Sequence, residues 1–133
     1  MALGTSIACA SAQAASGLKA MWGPSLHNGV SLFPTYHDLG VRVYEDRLTW
    51  SSIAVGRPRN ARDPNDPAYT WPAGVTQAVA EAKLYHVKVA LQIIGAPAWA
   101  NGGKPRNWAP LRPQDYANFA IAASRRYPSV HLW

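Results

Sequence analysis

The chain is short of acid, of cysteine and of long apolar runs. Asp and Glu number 7 against 13 Lys and Arg, for a formal charge of +6. Cys9 is the single cysteine, which excludes an internal disulfide framework. No stretch of ~20 apolar residues occurs, so no membrane-spanning helix is expected. There is no Gly-x-Gly-x-x-Gly, no Walker loop and no His-Glu-x-x-His, which argues against nucleotide and zinc-hydrolase chemistry. No nucleophile elbow marks a serine triad. His27, His37, His86 and His131 are scattered along the chain, so neither a metal site nor a cofactor is expected. The basic residues are scattered too. Arg57, Arg59 and Arg62 share one loop, Lys104, Arg106 and Arg112 another, and Arg125–Arg126 end a helical stretch. A nucleic-acid binder more often lines one helix or stripe with them, so no nucleic-acid partner is expected.

What the chain does have is apolar bulk and tryptophan. Hydrophobic residues make up 48% and charged residues 15%, enough for a buried core in one domain of ordinary size. Six Trp stand against two Phe. Trp meets flat apolar ligand faces while keeping one donor wet, although core packing is its equally common use. Residues 1–15 carry no charge and are rich in Ala and Ser, and Ala12-Gln13-Ala14 fits a signal-peptidase site. Residues 1–14 are therefore expected to be a signal peptide or its tail, and residues 15–133 a secreted or periplasmic domain. Ser6-Ile7-Ala8-Cys9 is a poor lipoprotein box, because Ser6 stands where Leu is usual.

Apolar runs and helical periods alternate. Strands are expected near 19–22, 41–49, 87–94 and 130–133, and helices near 31–39, 73–85 and 113–127. Val75, Ala78, Val79 and Ala82 follow the i, i+3, i+4, i+7 rule. Tyr116, Phe119, Ala120, Ala123 and Tyr127 form a second stripe, behind Pro113 at the first helical position. Val87–Ile94 is almost unbroken by polar residues, as in a parallel strand buried on both faces. The β-α-β-α-β-α-β order predicts parallel strands. Two long loops, Gly56–Pro72 and Gly95–Arg112, follow strands, so they fall at the carboxyl edge of the sheet, where α/β folds bind ligands.

Candidate site residues lie at those strand ends. Trp22 closes the first strand, and Trp50, Trp99 and Asn101 lie at or just beyond later ones. A Trp face stacks on the C–H face of a pyranose and Asn serves its hydroxyls, so the partner expected is carbohydrate. Glu45-Asp46-Arg47 is the one charged cluster inside a strand. Alternation puts Glu45 and Arg47 on one face and Asp46 on the other. A carboxylate inside a sheet needs a partner, so Glu45 is expected to pair with Arg47 or another cation. In a functional role, Arg47 would face a sugar hydroxyl or a catalytic carboxylate.

Four segments carry a resemblance. They are Leu39-Gly-Val-Arg-Val-Tyr…Trp50-Ser-Ser-Ile-Ala54, Asp63-Pro-Asn-Asp-Pro-Ala-Tyr-Thr-Trp71, Val87…Gly95-Ala-Pro-Ala-Trp-Ala-Asn-Gly-Gly103, and Asp115-Tyr-Ala-Asn-Phe-Ala…Arg126-Tyr-Pro-Ser-Val-His-Leu-Trp133. In order and spacing the chain resembles the first half of a clan A glycoside hydrolase of the cellulase-like kind, from about Lys19 to Trp133. The resemblance implies an α/β fold, the amino-terminal part of a (β/α)8 TIM barrel with about three βα units and a fourth strand. A full barrel takes ~250 residues. It also implies a retaining mechanism whose acid/base glutamate ends the fourth strand and whose nucleophile ends the seventh, so both are expected beyond Trp133. No residue of this chain is then expected to be catalytic. Such enzymes often carry an arginine on the second strand; here Glu45 stands at that place and Arg47 two residues on. The substrate-binding candidates are Trp50, Trp99, Asn101, Arg47 and Trp22. The alternative is a non-catalytic carbohydrate-binding or interaction protein using the same tryptophans. Sugar, linkage, exo or endo mode and oligomeric state stay open.

Overall fold

A computed structural model describes residues 18–133. The leader expected over residues 1–14, with Cys9, lies outside the described residues. The framework is a parallel sheet of β1 (Ala20–Trp22), β4 (Val43–Thr49) and β5 (Lys88–Ile94), in that order. The register sets Trp22 beside Glu45, Glu45 beside Ala90, and Arg47 beside Gln92. Leu132 continues the order with one parallel bridge to Ala90, its carbonyl accepting from the Leu91 N–H at 3.0 Å. The strand expected at 130–133 is thus present as a single bridge. The strands of this sheet thus stand in chain order.

Between β1 and β4 stands a small antiparallel hairpin, β2 (Leu26–His27) with β3 (Val30–Ser31). Its turn is Asn28-Gly29, both at positive φ (49° and 77°), the combination a two-residue hairpin turn requires. Helix α1, expected near 31–39, is shorter, Phe33–Asp38: Ser31 belongs to the hairpin, and Leu32 and Leu39 cap the helix. A four-residue helix, α2 (Trp50–Ile53), directly follows β4, so Trp50 leaves the strand. Helix α3 (Ala73–Leu84) precedes β5, α4 (Ala98–Asn101) is one turn inside the second long loop, and α5 (Pro113–Arg126) follows it. No helix among the described residues is long and apolar enough to cross a membrane.

The helices cover one face of the sheet. Tyr44 and Leu48 of β4 and Val89 and Leu91 of β5 are buried there, with Phe33, Val75, Ala78, Ala82, Phe119 and Ala123 from the helices. The opposite face carries Trp22, Glu45, Arg47, Lys88 and Gln92, and none of these is buried. This corrects the expectation that Val87–Ile94 is covered on both sides: Lys88 and Gln92 on its second face are exposed. Continuous apolar sequence reported the strand, but the two polar positions in it mark the open side.

The first long loop packs as a compact excursion whose ends meet, Thr70 N–H donating to the Ile53 carbonyl at 2.8 Å. Its centre is Asp66, 6% exposed, whose carboxylate accepts from the backbone N–H groups of Asn60 (2.7 Å) and Ala68 (2.9 Å). Those backbone donors hold the Asp66 carboxyl below its ordinary 3.8. Tyr69 donates to the Ala61 carbonyl and Trp71 Nε1 to the Pro64 carbonyl. Burial pushes the Tyr69 and Tyr44 hydroxyls up to about 12, so both stay neutral donors.

A depressed carboxyl stabilises the fold at pH above its unfolded value, and that stabilisation is lost as pH falls through the folded value. Thermal melts of the protein are therefore expected to fall below pH 3.8. In Asp66→Asn the melting temperature is already lower at pH 7 and this part of the acid dependence is missing. Equal melts of the two proteins from pH 7 to pH 2 would contradict this role.

Candidate functional site

Two clusters of aromatic and basic side chains lie near the carboxyl ends of the strands. The first is on the open face. Trp22, at the end of β1, is 61% exposed, and the Arg47 guanidinium of β4 sits 4.4 Å from its ring centroid. A cation over an exposed indole is worth about 0.5–1 kcal/mol, enough to bias both side chains without burying them. Glu45 lies between them in register, beside Trp22 on one side and Ala90 on the other. Glu45 makes no ion pair among the described residues. This corrects the expectation that it pairs with Arg47 or another cation: the Arg47 guanidinium is drawn onto the indole instead, and no other cation pairs with Glu45 among the described residues. Partial exposure lets water satisfy the carboxylate.

The second cluster joins the two long loops. Trp99, in α4, donates its Nε1–H to the Ala54 carbonyl at 2.8 Å, across the loops. Arg57 donates to the Trp99 carbonyl at 3.0 Å and lays its guanidinium 4.5 Å from the Trp99 ring centroid. Arg57 also pairs with Asp115 at 3.3 Å, and Arg112 holds the same carboxylate at 3.0 Å. Asp115, in the first turn of α5, is thereby tied to the strand-end loops. Ser51 N–H donates to the Gly95 carbonyl at 2.8 Å, binding the starts of the two loops together. Gly95 sits at φ 70°, where a Cβ would lie 3.3 Å from Ser51 Oγ and 3.6 Å from Arg106 Cδ. A side chain there would meet both crowding and backbone strain.

Of the expected site residues, Trp22 and Arg47 are brought together on accessible surface. Trp50, Trp99 and Asn101 are placed differently. Trp50 is 2% exposed, stacked on Phe119 at 5.4 Å and edge-on to Trp99 at 5.6 Å, so it offers no face to a sugar. It was expected at a strand end, but the chain turns into α2 there and buries the ring. Asn101 is 1% exposed, and its Nδ2 donates to the carbonyls of Lys104 and Pro105. It staples its own loop. Trp99 is half-buried, with its donor engaged and one ring face under Arg57. Sequence reasoning passed over Trp108, which is 58% exposed, and Tyr116, which is 43% exposed. Helical spacing places Tyr116 in the buried stripe of α5; its ring instead stands at the surface, edge-on to Trp50 at 6.0 Å.

No cluster of three or more metal-ligating side chains occurs among the described residues. The stacking faces, donors and cations point to a ring-bearing, hydroxyl- or acceptor-rich ligand.

No family model and no curated protein matches the chain. Among solved structures, its fold matches a family 39 glycoside hydrolase from the gut symbiont Bacteroides cellulosilyticus WH2, with a TM-score of 0.63 at 15% sequence identity. The match covers 87% of this chain and 23% of that one. The fold is shared with a stretch of a glycoside hydrolase. At this identity the likeness concerns the fold alone, and the chain spans less than a quarter of its neighbour's length.

Proposed function

We propose that these residues form the amino-terminal part of a (β/α)8 barrel of a secreted, retaining glycoside hydrolase, supplying sugar-binding surface to it. The sheet supports the barrel reading. A doubly wound sheet covers both faces with helices and reverses its strand order at a switch point. Here the strands run in sequence order and one face is bare. In a barrel that face is the interior, and its carboxyl end is the mouth that binds ligand.

The observation that carries the carbohydrate reading is the pair of Trp22 and Arg47 on that face, 4.4 Å apart with the indole still 61% exposed. An indole face stacks on pyranose C–H groups, and the neighbouring guanidinium donates to ring hydroxyls. In this reading Trp22 is the platform, Arg47 the hydroxyl donor, and Trp50, Trp99 and Asn101 hold the loops that frame them. The substrate is a poly- or oligosaccharide, and neither a cofactor nor a metal takes part. A non-catalytic carbohydrate-binding protein would use the same surface, and hydrolysis separates the two readings.

Calorimetric titration with β-linked gluco- and xylo-oligosaccharides tests the binding. Saturable binding to the chain is expected, weakened at least tenfold in Trp22→Ala and less in Trp22→Phe, which keeps an aromatic face. Trp22 is largely exposed, so neither variant is expected to lose its fold. Equal affinity of wild type and Trp22→Ala would overturn the assignment.

A further inference from the structure

Behind the second cluster lies a cavity of about 250 Å3 at the carboxyl end of β5, bounded by Ile93, Gly95, Arg106, Trp108, Tyr116 and Trp50. It lies against the loop that follows β5 and the first turns of α5, and none of its lining residues belongs to the Trp22–Arg47 pair. Its volume is below the roughly 300–1,000 Å3 typical of sites for drug-sized ligands, so it suits a single ring. Three features of the lining point to what that ring carries.

The first is an unmatched donor. Trp50 is almost wholly buried, yet its Nε1–H has no acceptor among the described residues. Buried indole donors normally find a partner, and an orphaned one is costly. The second is charge. Arg106 is the only charged residue of the lining and enters no ion pair among the described residues. Residues 95–112 hold Lys104, Arg106 and Arg112 and no acid. Asp115, the one carboxylate nearby, is already held by Arg57 and Arg112. The third is the walls. Trp108 and Tyr116 are exposed aromatics on the rim, with Lys104 Nζ 5.9 Å from the Trp108 ring centroid.

We infer that this cavity binds a six-membered ring bearing a carboxylate. The guanidinium of Arg106 takes the carboxylate, the Trp50 Nε1–H donates to an oxygen of the ligand, and Trp108 and Tyr116 flank the ring. A guanidinium matches a carboxylate with two parallel hydrogen bonds, which a neutral hydroxyl cannot return. A sugar acid and an aromatic acid share this chemistry. The sugar-acid source rests on the carbohydrate reading above; the aromatic-acid source does not.

The test is a titration of the whole chain with glucuronate, benzoate and glucose at neutral pH, following the indole Nε1–H resonance of Trp50, assigned by its absence in Trp50→Phe. A saturable shift is expected with glucuronate or with benzoate, and the acid that gives it identifies the source. Arg106→Gln is expected to weaken that binding at least tenfold, and glucose to bind at least tenfold more weakly than the acid. Trp50→Phe keeps an aromatic ring against Phe119 and loses no internal hydrogen bond, so the fold is kept; its acid binding, read by calorimetric titration because the reporting resonance is gone, is expected to fall. Trp22→Ala should leave acid binding unchanged even where it abolishes oligosaccharide binding, so the two sites fail separately. No saturable shift with either acid, an Arg106→Gln affinity equal to wild type, or equal binding of glucose would each overturn the inference.

Discussion

Phe119→Ala is expected to cost about 3–5 kcal/mol of stability, the usual range for deleting a fully buried phenyl ring. The position joins three parts of the structure. The ring, 1% exposed, stacks on Trp50 at 5.4 Å and on Trp71 at 5.8 Å, and meets Tyr69 edge-on at 5.8 Å. Trp50 belongs to the segment after β4, while Tyr69 and Trp71 close the first long loop. Removing the phenyl therefore leaves a cavity lined by three large rings that cannot all collapse into it. Phe119→Leu refills most of that space and should cost clearly less. Urea unfolding of the three proteins measures the differences. Limited proteolysis within residues 56–72 should accelerate in Phe119→Ala, because its two aromatic anchors lose their shared partner. A cost below about 1 kcal/mol would mean that the ring cluster does not organise this end of the molecule.

The second large effect is an absence of turnover. The purified chain of 133 residues is expected to release no product from aryl glycosides above the uncatalysed background. Retaining hydrolysis needs two carboxyl groups ~5–5.5 Å apart on either side of one bond. The chain has 7 carboxylate side chains, and each is placed unfavourably. Glu45 and Asp46 are consecutive in β4 and point to opposite faces. Asp66 is held under backbone donors, and Asp63 accepts from the Asn65 N–H in the same loop. Asp115 is clamped by two arginines. Asp38 and Glu81 lie on α1 and α3, Asp38 facing solvent and Glu81 accepting from Gln77. Without such a pair, most of an enhancement that reaches ~10⁶–10¹⁷-fold is missing. Assays on aryl glucosides, xylosides and galactosides measure it. Turnover that vanishes in Glu45→Gln would place catalysis within this chain and contradict the proposal that its carboxylates lie elsewhere.

The framework was legible because it rests on period and punctuation. The α3 stripe of Val75, Ala78 and Ala82 is buried as its spacing requires. Pro113 opens α5, and β4 and β5 fall within two residues of the expected bounds, paired in parallel. The hairpin at Leu26–Ser31 escapes a reading by period although Asn28-Gly29 is a strong short-range hairpin signal, because the flanking strands are two residues each, too short for a period to register. The site was less legible. Distance from a strand end says that Trp50 and Asn101 lie near the ligand edge, not that a four-residue helix turns Trp50 into the core or that Asn101 caps its own loop. Three tryptophans, Trp50, Trp71 and Trp99, are built into the core and its margin, while Trp22, Trp108 and Trp133 are exposed. Nothing in the local sequence of any one of them separates these groups; tertiary packing does.

The central proposal is that sugar is bound at the carboxyl end of the uncovered face of the sheet. An amide-resolved NMR titration with a β-linked oligosaccharide tests it most directly. The account predicts saturable shifts concentrated at Trp22, Glu45, Arg47 and Gln92, at the Trp22 indole N–H, and at the loop starts near Gly95, with α1 and α3 silent. Shifts confined to the helical face, or none at concentrations that saturate known sugar-binding proteins, would contradict it.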